Sequence, residues 1–282
     1  MMKTPLRYPG GKSRAVKHIL PYIPEDCEKL CAPFLGGGSI ELAVAERGTK
    51  VYGYDIFKPL VWFWKALLKN PEKLSQMADL YRVKKTYMYK EEEVKARGLP
   101  KEDFERFRRE ISHALKNEEP FSYEMAAKVY AINRSSFSGA TLSGGWSERA
   151  SYARFTDTSI ERIRDFKEEN LTVKCEDFRN ALRKHTDSFL YCDPPYYMGA
   201  GSKLYGNNGD THYDFPHLEL YEALRNRKNW VLSYNDNEII RYLYRDFDIV
   251  EAEWAMGMKN VSKESRANGQ MGKSSEIIIM CL

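Results

Sequence analysis

Short apolar runs rich in β-branched and aromatic residues, each followed by a turn and a helical pattern, recur in two separate blocks of this 282-residue chain. In the first block, 29–34 (KLCAPF) reads as a strand that Pro33 must close, and LGGGS as the turn after it. A short helix over 39–47 stops at Gly48, 50–54 (KVYGY) is a second strand ending at Asp55, and 57–68 is a strongly apolar helix. The second block gives strands at 171–174, 188–192, 230–234 and 247–252, with helices at 176–184, 215–226 and 237–244 between them. The final run, 276–282 (EIIIMCL), is too short and too β-branched for a helix. Strands alternating with helices specify an α/β fold with a mostly parallel sheet covered on both faces. Only a polar loop, 256–275, joins the last two strands, so they are expected to pair antiparallel.

Between the blocks the character changes. Residues 70–170 are rich in Lys, Arg and Glu, with helical stretches at 102–115 and 123–133 and a polar, glycine-containing loop at 135–155. No strand pattern is visible there. The simplest organisation is one domain formed by 1–69 and 170–282, carrying an inserted helical subdomain at 70–169.

Bulk properties exclude little. The net charge of +4 is compatible with a nucleic-acid partner, but solubility alone explains so small an excess. Five scattered cysteines include a Cys27/Cys31 pair that no second Cys/His pair completes, so reduced thiols and no metal are expected. The start MMKTPLRYPGGK has no apolar signal core, and no apolar run is long enough to span a bilayer. A cytoplasmic location with no membrane partner is the expectation.

Ligands of open parallel sheets bind beyond the carboxyl ends of the strands, near the point where strand order reverses. Three segments end strands there: PFLGGGS, YGYDIF and YCDPPYY. Gly36, Gly37 and Gly38 permit a tight turn and close approach of a ligand, with helix N–H groups from Ser39 onward aimed at the same space, although glycines suit any such turn. Asp55 alone would read as a helix cap. About twenty residues beyond a glycine turn, it reads better as the acceptor for a ribose diol, hence for a nucleoside cofactor. The GGG triplet lacks the G-x-G-x-x-G register and no Walker lysine follows, which disfavours dinucleotides and nucleoside triphosphates. LRYPGGKSR sets Tyr8 and Lys12 in a loop before a helix expected to reach about Leu20, where the lysine could hold an anionic group or simply be solvated.

YCDPPYY ends its strand with an acid, two prolines and two aromatic rings. Proline fixes its own φ and donates nothing to the ladder, so the pair stops the strand and stiffens the turn beyond it. A rigid turn explains the prolines but not the acid and the tyrosine together. An aromatic amine is a poor nucleophile because its lone pair is delocalised into the ring. Acceptors on both N–H bonds, from Asp193 and the Pro194 carbonyl, would expose that lone pair while Tyr196 stacks on the ring.

In chain order, RYPGGK, PFLGGGSIEL, YGYDIF, NRSSFSG, CEDF, YCDPPYY and VLSYND resemble the motifs of the Dam-type adenine-N6 DNA methyltransferases, across nearly the whole chain from 5 to 282. The resemblance implies a Rossmann-like methyltransferase sheet, S-adenosylmethionine as methyl donor, and an adenine flipped out of double-stranded DNA. By position, Tyr8, Lys12, Phe34, Gly36, Asp55, Asp177, Phe178 and Asp193 are the expected cofactor contacts. Asp193, Pro194, Pro195 and Tyr196 form the expected catalytic set. The insert becomes a target-recognition subdomain, with Arg134, Ser138, Arg149 and Arg154 as candidate DNA contacts. GATC-methylating members continue the Asn-Arg segment with Phe-Asn-Gly, whereas here Ser138 precedes Gly139, so GATC recognition does not transfer. A monomer is expected, with room for a restriction endonuclease in the same system, and the 256–275 loop is expected to order on DNA. Two readings stay open beside it: methylation of RNA or a protein amide, and a DNA reader without catalysis.

Overall fold

The computed structural model describes residues 2–89, 92–197, 215–254 and 274–282. Most of the loop expected at 256–275 lies outside the described residues. In chain order the elements are α1 (Val16–Ile19), β1 (Lys29–Ala32), α2 (Ser39–Ala45), β2 (Lys50–Asp55), α3 (Lys58–Lys69) and α4 (Pro71–Leu80). Next come β3 (Val83–Tyr89), β4 (Glu92–Gly98), α5 (Lys101–Lys116), α6 (Tyr123–Ser135), α7 (Glu148–Arg154) and α8 (Asp157–Arg164). The chain then runs through β5 (Leu171–Cys175), α9 (Phe178–Lys184), β6 (Phe189–Cys192), α10 (His217–Leu224), β7 (Trp230–Asn235), α11 (Glu238–Leu243), β8 (Asp248–Trp254) and β9 (Ser274–Cys281).

Seven strands form one sheet in the order β5-β2-β1-β6-β7-β9-β8. All neighbouring pairs are parallel except those of β9, which runs antiparallel to both β7 and β8. The mostly parallel sheet with an antiparallel last strand is thus the expected one. Strand order reverses between β1 and β6: the chain proceeds from β1 outward to β2 and β5, then returns to the other side of β1. That topology opens a crevice at the carboxyl ends of β1 and β6.

Alternate residues of each strand serve two different cores. Leu30, Ala32, Tyr191 and Val231 belong to one apolar cluster, while Cys31, Leu190, Cys192 and Leu232 belong to the other. The second is closed by α9, α10 and α11 through residues such as Leu182, Leu224 and Ile240. The first continues from the sheet through α3 into the insert, taking in Phe104, Phe107, Tyr130 and Phe155 without a break. Tyr130 of α6 stacks on Phe63 of α3 with ring centroids 5.4 Å apart and donates its hydroxyl hydrogen to the Ser159 carbonyl at 2.9 Å. Sheet and insert therefore share one core, and burying rings of this size stabilises each by about 2–3 kcal/mol.

The insert is not wholly helical. β3 and β4 pair antiparallel as a separate two-stranded sheet, a hairpin that the charged sequence conceals. In β4, Val94, Ala96 and Gly98 alternate with Glu93, Lys95 and Arg97, and the hairpin rests on α7: a Cβ on Gly98 would lie 2.7 Å from the Ser151 hydroxyl. α4, α7 and α8 are also absent from the sequence-based expectation. Two of them carry a local signal: the Asn70 side chain caps α4 by accepting from the Lys73 amide at 2.8 Å with Pro71 behind it, and Ser147 caps α7. The helix expected to reach about Leu20 is instead a 3-10 turn at Lys12–Arg14, the short α1, and a second 3-10 turn at Leu20–Tyr22.

Two glycines of the first βαβ unit differ in what they protect. Gly38 has φ +68° and a Cβ there would sit 2.6 Å from the Trp64 ring, whereas Gly48 has φ +95° with open space around it. Gly38→Ala should therefore cost about 3 kcal/mol of unfolding free energy and Gly48→Ala about 1 kcal/mol, measured by urea denaturation. Equal losses would mean that backbone conformation alone, not Trp64, makes Gly38 necessary.

Candidate active site

β6 is fully buried and stops where Pro194 and Pro195 withdraw ladder donors, which leaves Asp193 at the crevice. Its carboxylate is held from two sides. Lys12 Nζ lies 2.7 Å from Oδ1 and 2.9 Å from Oδ2, and the Ser233 hydroxyl of β7 donates to Oδ1 at 2.8 Å. Lys12 is only 5% exposed, so this is a buried charge-assisted contact, and it also donates to the Gly10 carbonyl at 3.1 Å. Its ammonium sits 4.8 Å from the centroid of the Tyr196 ring. Tyr191 shares a hydrogen bond of 3.2 Å with Ser233, and Asn235 Nδ2 donates to the Tyr197 carbonyl at 2.9 Å. The proline turn is thereby bracketed before and after the acid.

Two further carboxyls surround the ammonium. Glu276, at the start of β9, has no exposed side-chain surface and lies 3.8 Å from Lys12 Nζ. Glu41 on α2 is also buried, and burial, helped by the negative charge of Asp193, pushes its carboxyl up to about 8. It is therefore neutral at pH 7. Burial and the charges of Asp193 and Glu276 raise the Tyr196 hydroxyl well above its ordinary range. Sequence reasoning missed Ser233, Glu276 and Glu41. Ser233 and Glu41 carried a signal, as parts of VLSYND and PFLGGGSIEL; Glu276 looks like one more polar residue before an apolar strand.

At the neighbouring strand ends, Asp55 accepts the Gly36 amide on Oδ2 at 3.0 Å and the Phe57 amide on Oδ1 at 2.8 Å. Burial outweighs those two amides and lifts its carboxyl to about 6. Each oxygen keeps a lone pair, as a diol acceptor requires. Phe34, Phe178 and Phe215 form a triangle with centroids 5.5 Å apart on every side, an apolar surface beside that acid. Phe215 lies outside the set expected from sequence. Asp177, expected at the cofactor, caps α9: Oδ1 accepts the Arg179 amide at 2.8 Å and Oδ2 the Arg179 guanidinium at 2.9 Å.

The glycine turn serves packing as well as approach. A Cβ on Gly36 or Gly37 would lie 2.9 Å from Tyr8, and Trp64 Nε1 donates to the Gly36 carbonyl at 3.1 Å. Tyr8 thus seats the N-terminal loop on the turn. Asn133 fixes the same loop to the insert: its Oδ1 accepts the Arg7 amide at 3.0 Å and its Nδ2 donates to the carbonyls of Arg7 and Gly139 at 2.6 and 3.0 Å. Beside this junction opens a polar cavity of about 210 Å³ lined by Arg7, Tyr8, Ser13, Ser39 and Ser138 among others.

The candidate DNA contacts divide. Arg149 and Arg154 are exposed and Ser138 is half-buried, next to Phe137, which is 64% exposed. Arg134 requires correction: it is buried, and its guanidinium donates to the carbonyls of Arg154 and Pro5, so it braces the insert from within. Its chain neighbours hide this, because a buried and an exposed arginine look alike beside serines.

A mostly parallel seven-stranded sheet with one antiparallel edge, with Asp55 and Asp193 at the carboxyl ends of the two strands that flank β1, is consistent with a Rossmann-like methyltransferase fold. The sequence pattern described as D12 class N6 adenine-specific DNA methyltransferase matches residues 8–258, and the chain belongs to that family. It is an adenine-specific DNA methyltransferase, a class that works with a methyl donor. Among similar proteins, a type II methyltransferase of Lactococcus lactis subsp. cremoris is 24% identical over 97% of this chain and 93% of its own length. A DNA adenine methylase of Vibrio cholerae is 25% identical over 85% of this chain and 84% of its own. A type II methyltransferase of Planomicrobium okeanokoites is 24% identical over 99% of this chain, which spans 42% of that longer protein. No helix among the described residues is long and apolar enough to cross a membrane.

Glu41 gives a test of the buried charges. An acid whose folded value is raised stabilises fully below its unfolded value, near 4.5, and loses that contribution as pH rises towards about 8. Glu41→Gln should match the wild type at pH 4 and exceed its unfolding free energy by about 4 kcal/mol at pH 8, read by urea denaturation. A variant less stable at pH 8 would show that the carboxylate is satisfied in the folded state.

Proposed function

We propose that the protein moves a methyl group from S-adenosylmethionine to N6 of an adenine turned out of duplex DNA, with Asp193, Pro194, Pro195 and Tyr196 holding the amine. The fixing of Asp193 carries this reading. Ser233 and Lys12 occupy Oδ1, and Lys12 takes one side of Oδ2, so the side facing away from Lys12 is left for an amine N–H. The carboxylate is 21% exposed, enough to be reached from the crevice.

The residues around Asp55 fit the donor. Its free lone pairs suit a ribose diol, the Phe34, Phe178 and Phe215 rings suit an adenine face, and Tyr8, Gly36 and Lys12 border the rest. When bound, the donor supplies an electrophilic methyl group on a positively charged sulfur. Asp193 accepts one N–H of the target amine, and the Pro194 carbonyl takes the other. Together they draw the nitrogen lone pair out of the ring, while Tyr196 stacks on the base. The rate advantage comes from orientation and from charges fixed before the substrate arrives.

Residues 70–169 act as the target-recognition region. Arg149 and Arg154 supply phosphate contacts that position the duplex, and Ser138 lies at the rim of the polar cavity. The protein works as a monomer, in the cytoplasm. The names of two relatives support a type II restriction companion.

The test offers labelled S-adenosylmethionine with duplex DNA, RNA and protein in separate reactions. Label should enter duplex DNA as N6-methyladenine, and both Asp193→Asn and Asp193→Ala should lower kcat at least about a hundredfold. Label in another acceptor but not in duplex DNA, or near-normal turnover by Asp193→Ala, would refute the reading.

A further inference from the structure

The polar cavity at the junction of the N-terminal loop and the insert is lined by hydrogen-bond donors. Thr4, Arg7 and Ser13 line it from the N-terminal segment, Ser39 from the start of α2 and Ser138 from the insert, and none of the described residues around it is acidic. Arg7 Nη1 donates to the carbonyls of Ser136 at 3.0 Å and Arg134 at 3.4 Å, which leaves the Nε and Nη2 hydrogens without a protein acceptor among the described residues. Thr4 Oγ1 accepts the Leu6 amide at 3.3 Å and keeps its own hydrogen. Ser13 and Ser39 share one hydrogen bond of 2.9 Å, so one of their two hydroxyl hydrogens is left over. Charge points the same way: burial, together with the charges of Arg134 and Arg154, lowers the Arg7 guanidinium to about 10, so it still carries its charge at pH 7. Arg7 is also held still. Asn133 bonds both polar groups of its backbone, and a Cβ on Gly139 would lie 2.5 Å from its carbonyl oxygen.

We propose that this cavity seats a phosphate of the DNA backbone next to the target adenine, with Arg7 as its cationic ligand and the hydroxyls of Thr4, Ser13, Ser39 and Ser138 around it. This rests on duplex DNA as the substrate. The Nε–Nη2 edge of a guanidinium presents two parallel N–H bonds, the geometry that grips a phosphate bidentately. The loop that carries Arg7 also carries Lys12 to Asp193, so a phosphate held here lies close to the amine holder and fixes the strand from which the base turns out. The carboxylate of the methyl donor is the other oxyanion at hand. The phosphate is favoured because Ser138, Arg134 and Arg154 all come from the insert, the region read above as meeting DNA. Phosphate contacts position a duplex without specifying its sequence, so Arg7 acts on register and not on base choice.

The experiment measures the affinity of the full chain for a duplex containing the site it methylates, by fluorescence anisotropy over a series of KCl concentrations, and for S-adenosylmethionine by calorimetry. Arg7→Gln should weaken duplex binding by on the order of tenfold and reduce the slope of log affinity against log salt by about one, with donor affinity unchanged. Arg7→Lys keeps the charge and should keep the wild-type slope. An Arg7 that only braces the carbonyls of the insert would lower affinity without moving the slope, and that result overturns the proposal, as does a loss confined to the methyl donor. Ser13→Glu places a carboxylate at the cavity and should weaken duplex binding by on the order of tenfold more than Ser13→Gln. Equal effects of those two variants overturn the proposal, and the pair decides the matter should Arg7→Gln fail to fold. Failure of the wild type to bind duplex DNA overturns the substrate reading, and the proposal with it.

Discussion

The buried contact between Lys12 and Asp193 joins segments 181 residues apart, and the site depends on it. Buried ion pairs are weak sources of stability, because desolvation offsets the attraction. What this one provides is orientation. Asp193 cannot rotate while Lys12 grips both its oxygens and Ser233 holds one, so its remaining acceptor direction is set before any substrate arrives. Lys12 is in turn placed by a loop that has little secondary structure of its own. That loop stays in position because Tyr8 fills the space left by the Gly36 and Gly37 Cβ atoms and Asn133 hydrogen-bonds both polar groups of the Arg7 backbone.

The insert is thus joined to the candidate site through the N-terminal loop. Asn133 and Arg134 belong to α6, whose buried face packs on α3 in the core shared with the sheet. A displacement of α6 would be transmitted through Asn133 to the N-terminal loop and through Lys12 to Asp193. The insert and the carboxylate of Asp193 are thus connected through the loop that carries Arg7, Tyr8 and Lys12.

Much of this is legible in the sequence. Asp55 and Asp193 are recognisable because each ends a strand in a distinct local pattern, and the antiparallel last strand is implied by the lack of a helical crossover. Local pattern fails where partners are remote. Glu276 acquires meaning only when β9 converges on Lys12, which no short-range spacing encodes. The β3–β4 hairpin escapes a sequence reading because its short alternating runs lie in a Lys-, Arg- and Glu-rich region otherwise read as helical. Arg134 misleads for the opposite reason: basic residues in an insert suggest phosphate, and only its burial shows that its donors are taken.

The dependence of Asp193 on Lys12 is tested most directly by a double-mutant cycle on single-turnover methylation of duplex DNA at saturating donor. If Lys12 acts through Asp193, the Lys12→Met/Asp193→Asn double variant should be no more than about threefold slower than Asp193→Asn alone. Losses that multiply in full would show the two residues acting independently, and would contradict the account.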